Sequence, residues 1–384
     1  MRQHLLLLKQ KPTTKNRGIM SKIGTSDYAQ MLLNGVDNFT ATYFSEVIGT
    51  VSHDTIGRAI GEIKLSPKVV REKALKLIVP SANGYLAIDD TVMDKGSSSE
   101  IEVASAQYSG QKHGVITGIG VVTLVYINPE LEKYWILDYR IYDKATDGKK
   151  KTEHALDMIE YWQLIHELHP GRLPFTTVLI DAGYTCKKIM QYVVRKEKIF
   201  YGVMPKSRKV SFSDPNGEID PRTNKVKIIY AHVGDLAWDD QTGEGECLRT
   251  NGITVCIEDL PNDKPLKLFR ITAKHRTEYV VTNDVSVETT EAAKKVGGFR
   301  WKIEQFHREV KQLTGVAKCQ ARKGRKQRNH ICIAFVVWHQ LNELAKQMRT
   351  TLYEVKHRPL REYQKELWRN PAYRLDDSLL GDFA

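Results

Sequence analysis

Three acidic residues far apart along the chain carry the chemistry: Asp90, Asp181 and Glu304. Asp90 follows the apolar run Tyr85 to Ile88, and Asp181 follows Thr176 to Ile180. Each aspartate is therefore expected at the end of a buried strand, at the sheet rim where α/β folds place their sites. Either one alone reads more simply as a cap on the following helix or turn. Two in proximity repel each other, and a divalent cation relieves that repulsion. Asp89 is the alternative to Asp90, because strand alternation sends the two side chains to opposite faces.

The third acid belongs to the helical stretch Phe299 to Lys311. Ile303, Phe306 and Val310 form its apolar stripe, whereas Arg300, Glu304 and Lys311 are stacked on another face. The simpler account of this face is a surface Arg–Glu pair worth roughly 0.3–0.5 kcal/mol. The alternative is that Glu304 completes a carboxylate triad, flanked by cations that grip phosphates. Three carboxylates suit magnesium or manganese. Two such ions, roughly 3.5–4 Å apart, would activate a water or 3′-hydroxyl and stabilise the leaving oxygen of a phosphoryl transfer.

The elements that must position these acids follow from periodicity. Residues 1–80 read as short helices (Ser26 to Leu33, Thr40 to Ile48, Thr55 to Ile60, Lys68 to Ile78). From Tyr85 to Ile88 the pattern becomes strand-like, followed by strands over Gly118 to Ile127 and Tyr134 to Tyr142. A helix over Glu153 to Leu168, a strand to Ile180, a helix over Lys187 to Arg195 and a strand over Ile199 to Met204 complete this part. Residues 207–275 hold turn signals between short β-prone runs and read as a β-rich insertion, after which Tyr279 to Thr282 is a strand. From Thr289 the chain is helical almost to Leu367. The expected architecture is a mixed-sheet α/β catalytic core (81–206 and 276–318) interrupted by the insertion, with helical N-terminal (1–80) and C-terminal (319–384) regions.

Bulk properties point the same way. Hydrophobic residues make up 41% and charged residues 27%, ordinary for a globular chain of 384 residues, while the net charge of +12 favours a polyanionic partner. Between Lys294 and Arg328 twelve Lys or Arg face two Glu. Lys302, Arg308, Arg322, Lys323, Arg325, Lys326 and Arg328 are accordingly expected to bind a polyanion, either a nucleic-acid backbone or an acidic membrane surface. No apolar run approaches bilayer length, so no membrane span is expected, and Leu5 to Leu8 is too short for a signal peptide. The five cysteines are scattered without a CxxC pair, which fits a reducing cytoplasmic setting. Trp338 is expected in the core, Trp301 equally in the core or at the site, and His307 and His330 at the surface or on phosphates.

The segments Leu86-Ala-Ile-Asp-Asp-Thr91, Asp181-Ala-Gly-Tyr-Thr and Arg300-Trp-Lys-Ile-Glu304 with Lys311 resemble the three signature blocks of bacterial insertion-sequence DDE transposases. The group in question, insertion-sequence-four-like, carries a Tyr-Arg-Glu-Lys signature with gaps of two, three and six residues. Arg300, Glu304 and Lys311 match its last three members, and Gly297 stands where the tyrosine would be. The resemblance covers roughly residues 85–315. It implies an RNase H-like core and a catalytic, metal-holding triad of Asp90, Asp181 and Glu304, with Asp90 preferred because the pattern places aspartate directly before Thr or Ser. It further implies two Mg²⁺ or Mn²⁺ ions and phosphate contacts from Arg300 and Lys311. The implied activity is cleavage at terminal inverted repeats and transfer of the strand into target DNA, by a homodimer that pairs the two ends. The N-terminal helices, with Lys9, Lys11, Lys15 and Arg17 ahead of them and Lys64, Lys68, Arg71, Lys73 and Lys76 extending the surface, resemble the region that binds the repeats; a helical cap on the core is the alternative account of them. A transposase-derived DNA-binding protein without catalysis and a general metal nuclease are the alternatives.

Overall fold

The structure is a computed structural model that describes residues 23–96, 100–110, 112–213, 217–236, 238, 252–258, 260, 264–273 and 276–373. Lys9, Lys11, Lys15 and Arg17 lie outside the described residues.

Four short helices open the described chain: α1 (Thr25–Asn34), α2 (Ala41–Ile48), α3 (His53–Glu62) and α4 (Pro67–Leu77). Thr40 and Ser52 cap α2 and α3 by accepting from backbone amides three residues on, and Pro67 opens α4, where its missing N–H costs nothing. Then come β1 (Tyr85–Asp94), β2 (Ser105–Ser109), β3 (Gly114–Asn128), β4 (Lys133–Tyr142), a single turn α5 (Lys144–Asp147) and α6 (Lys151–Leu168). β5 (Thr177–Ile180), α7 (Lys187–Arg195) and β6 (Ile199–Met204) follow. After the small strands β7 (Lys209–Ser213), β8 (Ile219–Asp220), β9 (Lys225–Val226) and β10 (Ile228–His232) come β11 (Ile253–Val255), β12 (Leu266–Ala273) and β13 (Arg276–Thr282). The chain continues through α8 (Thr290–Gly298), α9 (Trp301–Leu313), α10 (Gly324–Gln347) and α11 (Leu352–Arg369).

One sheet organises the fold. β1 pairs antiparallel with β3, and β3 with β4, while β5 and β6 join β1 in parallel. The resulting order β4-β3-β1-β5-β6, three antiparallel strands followed by two parallel ones, is the RNase H-like arrangement expected above. β13, β12 and β11 extend it antiparallel beyond β6. Part of the segment read from its turns as an insertion thus builds the sheet edge: β11 and β12 are core strands, while β7 and β10 form a separate ribbon.

Strand alternation divides the interior into two cores. Ala87, Met93, Val121, Val125 and Leu179 pack beneath Ile303, Phe306 and Val310 of α9 and Phe335 and Trp338 of α10. Leu86, Ile88, Val122, Val178 and Ile180 pack beneath Met158 and Trp162 of α6 and Ile189 and Val193 of α7. The N-terminal helices lie against α10 through buried polar contacts. Asn329 donates to the Ile60 and Ile63 carbonyls at 2.6 and 2.5 Å and accepts from the Leu65 amide at 2.9 Å.

Two expectations are corrected. β1 does not stop at its aspartates but runs on to Asp94, because β3 supplies antiparallel partners throughout, Asp89↔Thr123 and Asp90↔Val122 included. What ends at this level is the parallel neighbour: β5 pairs with β1 only as far as Ile88↔Ile180. The aspartates are thus mid-strand but stand where the parallel ladder opens. His307 and His330 are not surface residues: they are 8% and 0% exposed, because the α9 and α10 faces that carry them turn onto the sheet and the N-terminal helices.

Candidate active site

The open end of the parallel ladder and the first turns of α9 enclose a crevice lined by Asp89, Asp90, Asp181, Glu304, Arg308 and Lys311, among others. The parity of β1 decides how the first two acids enter it. Asp89 shares the face of Ala87 and Met93, the α9 side, whereas Asp90 shares the face of Leu86 and Ile88, the α6–α7 side. Asp181 continues the parity of Leu179 and therefore joins the Asp89 face. Its backbone carbonyl accepts from the amides of Tyr184 and Thr185, a tight turn that carries the chain from β5 towards α7.

Asp90 has both carboxylate oxygens engaged on its own side. Lys151 Nζ, at the start of α6, lies 2.7 Å from one, and the buried Tyr184 hydroxyl donates to the other at 2.7 Å. Burial, and after it the Asp90 charge, push the Tyr184 phenol far above its ordinary range, so it stays a donor. Asp89 is held differently. One oxygen accepts from the Asp90 amide at 2.7 Å, and the Thr123 hydroxyl donates to the Asp89 carbonyl at 3.1 Å. Burial first, then the charges of Asp181 and Asp90, raise the Asp89 carboxyl well above the usual carboxylate range. The acids on the inner face therefore feel one another electrostatically.

His307 sits behind Asp89. Because the Thr123 hydroxyl donates to Asp89, its remaining capacity accepts from His307 Nε2–H at 2.8 Å, which leaves the Nδ1 lone pair facing Asp89 Oδ2 at 3.8 Å. Burial, then the Lys311 charge, lower the His307 pKa to about 3, so the ring is neutral at physiological pH.

Arg300 ties the third acid to the second. Its Nη1 lies 2.7 Å from Glu304 Oε1 and 3.0 Å from Asp181 Oδ1, and its Nη2 lies 3.0 Å from Glu278 Oε1. The residue is 3% exposed, so this is not the solvent-facing pair of the simpler account. Burial works against its charge, but Asp181, Glu278 and Glu304 together hold the guanidinium above its ordinary pKa. Lys311 is lowered by burial and partly restored by Asp89, Asp90 and Asp94. Among the described residues no group of three or more His, Cys, Asp or Glu stands already arranged to hold a metal ion. The acids are neighbours, but cations of the chain itself occupy the space between them.

The remaining expected residues are dispersed. Arg308 is exposed on the crevice wall, and Lys302 lies 5.9 Å from the Tyr134 ring. In the basic run, Arg322 pairs with Glu100, Lys323 with Glu102 and Arg328 with Asp143. Arg325 is exposed, and Lys326 lies against Gly57 and Gly61 of α3. Of the N-terminal cations, Arg71 is committed to the buried Asp138 at 3.1 Å. Trp338 is fully buried in the core, while Trp301 is 47% exposed with the Arg276 guanidinium 5.6 Å from its ring centroid. Position 297 opens on a separate hollow between Trp301, Ile271 and Val280. Lys151, Tyr184 and Glu278 escaped the sequence reading. Tyr184 sits inside the second signature block, three residues after Asp181, and was the one with a readable signal.

No curated protein matches the chain. Residues 84–339, from the residue before β1 to the middle of α10, match the transposase DDE domain family, a span that includes both inner-face aspartates, Glu304 and the crevice around them. The chain belongs to that family and is a DDE transposase.

Proposed function

We propose that this transposase cleaves DNA at the terminal inverted repeats of its element and transfers the freed strand into target DNA, with Asp89, Asp181 and Glu304 as its catalytic, metal-holding acids. The observation that carries the proposal is the shared face: the parity of β1 and β5 and the first turn of α9 put these three carboxylates on one side of the sheet. Asp90, the residue favoured by the family pattern, also borders the crevice but projects from the opposite face of the sheet, and each of its oxygens is engaged, one by Lys151 and one by Tyr184, which suits a residue that braces the strand.

The donor set fits Mg²⁺ or Mn²⁺: the carboxylates of Asp89, Asp181 and Glu304 line one crevice and offer the hard oxygen ligands such ions prefer. When bound, a pair of such ions activates the attacking oxygen and stabilises the leaving one. The chain's own residues do the rest. Arg308 and Lys311, on the wall and floor of the crevice, hold the DNA phosphates and keep the scissile linkage over the acids. Neutral His307, through Thr123, fixes the β1 backbone that carries Asp89. Tyr184 and Lys151 lock Asp90, so that the inner-face acid is presented at a fixed angle. The helical residues before β1 are assigned to end recognition, strands β7 to β10 of residues 207–275 to the β-rich insertion, and the helices after residue 319 to pairing of two copies across the two ends.

The test is strand cleavage of duplex DNA carrying the element's own ends, in Mg²⁺. Asp181→Asn and Glu304→Gln are expected to abolish cutting while leaving binding to the ends intact. Cutting at the wild-type rate by either variant overturns the assignment.

A further inference from the structure

We propose that Arg300 is a built-in counter-cation that occupies the space between Asp181 and Glu304 until a divalent ion displaces it, and that Glu278 is the positioning residue that keeps hold of it afterwards. The inference rests on the reading of Asp181 and Glu304 as metal ligands. A single nitrogen, Arg300 Nη1, contacts both carboxylates, at 3.0 and 2.7 Å. Two acids from different elements sharing one cationic nitrogen is the arrangement an ion between them would have. A buried guanidinium is costly to keep without such partners, and Arg300 is 3% exposed. Each partner therefore stabilises the others in the absence of metal.

Glu278, on β13, gives the arrangement a second position. It holds Nη2 at 3.0 Å from the side away from the crevice and is itself paired with Arg276 at 2.6 Å. When Asp181 and Glu304 turn to an ion, the guanidinium keeps this rear contact and does not become an unpaired buried charge. Its freed Nη1 then faces the crevice, where a DNA phosphate oxygen is the available acceptor. A metal ion takes the carboxylates from Nη1 and a phosphate takes Nη1 from the carboxylates, so both break the same contacts. Each is therefore expected to strengthen the other, and thermodynamic linkage makes that coupling reciprocal. The physical consequence is a DNA-free protein that binds metal weakly and so cuts nothing before DNA is seated.

The experiment is a Mn²⁺ titration of the full chain without DNA, read by electron paramagnetic resonance, on the wild type, R300A, R300K and D181N. R300A is expected to bind Mn²⁺ about tenfold more tightly than the wild type. R300K retains the charge but offers one ammonium in place of a planar fork and cannot hold three carboxylates together. It is expected to recover at least about half of that gain on a logarithmic scale. Wild-type affinity in R300K would show that net charge alone matters and overturns the proposal, as does unchanged affinity in R300A. Should R300A fail to fold, R300K decides alone. D181N separates the two layers of the reading. If it removes the tight site in every background, flat Arg300 variants overturn only the counter-cation role. If it leaves Mn²⁺ binding untouched, the acid assignment falls with it.

Discussion

Lowering the pH from about 7.5 to about 5.0 should destabilise the fold through two histidines of α10 that lie far from the crevice. His330 Nε2 donates to the Gly315 carbonyl at 3.1 Å, and its Nδ1 accepts from the Tyr28 hydroxyl at 2.8 Å, so the neutral ring uses both nitrogens. His339 Nε2 donates to the Ile136 carbonyl at 3.0 Å, while its buried Nδ1 has no partner and a proton there would be an unsatisfied donor. Both rings are 0% exposed. Burial first, with Lys95 nearby, lowers His330 to about 4, and burial lowers His339 to about 3. Both folded pKa values lie below the unfolded value of about 6.5, so the stabilisation is complete above that value and is lost as the pH falls towards the folded ones. Each unfolded-state histidine gains about 1.4 kcal/mol per pH unit below its pKa, which gives roughly 2 kcal/mol per residue by pH 5.0 and about 4 kcal/mol together. Urea denaturation of the wild type and of H330Q/H339Q across this range measures it. The double variant should lose less stability on acidification by about that amount. Equal slopes in the two proteins would refute the reasoning.

Glu309 is a buried carboxyl group, 3% exposed, which accepts from the Tyr134 hydroxyl at 2.8 Å, Trp338 Nε1 at 3.0 Å and Gln305 Nε2 at 2.9 Å. Glu309→Ala strands two buried donors and should cost about 3 kcal/mol or more in urea denaturation, with Glu309→Gln costing less. In the basic run the structure separates spent cations from available ones. Arg325→Ala should flatten the salt dependence of DNA binding by about 0.9 in logarithmic slope, whereas Arg328→Ala, whose guanidinium is tied to Asp143 at 2.6 Å, should leave that slope unchanged.

What was legible in the sequence was whatever rests on local pattern. The alternation and the apolar runs located β4, β5, β6 and the helices near their observed bounds, and the stripe Ile303, Phe306 and Val310 set the buried face of α9. The strand–acid junction singled out Asp181 correctly as a residue just past the end of its strand. The same rule misjudged β1, because a strand can continue past an acid when an antiparallel partner as long as β3 runs beside it. Which of Asp89 and Asp90 faces α9 depends on the pairing of β1 with β5 and on which sheet face receives which helix. Neither is written within ten residues of the aspartates. Glu278, Lys151 and the acids that pair with Arg322, Lys323 and Arg328 are contacts between segments distant in the chain, and no local period announces them. His307 and His330 were misplaced for a related reason: a helix lying between a sheet and other helices buries more than one stripe, so polar positions on α9 and α10 end up inside, hydrogen-bonded.

Comparing the cleavage rates of Asp89→Asn and Asp90→Asn tests the central claim most directly. The two residues are adjacent and chemically alike, and differ only in the face of the sheet they occupy. Loss of an inner-face carboxylate should slow Mg²⁺-dependent strand cleavage by about 10³-fold or more, the scale of removing a group that stabilises charge at the reacting centre. Loss of a bracing residue held by Lys151 and Tyr184 should slow it by about 10- to 100-fold. Cleavage that survives in Asp89→Asn and vanishes in Asp90→Asn would contradict the account.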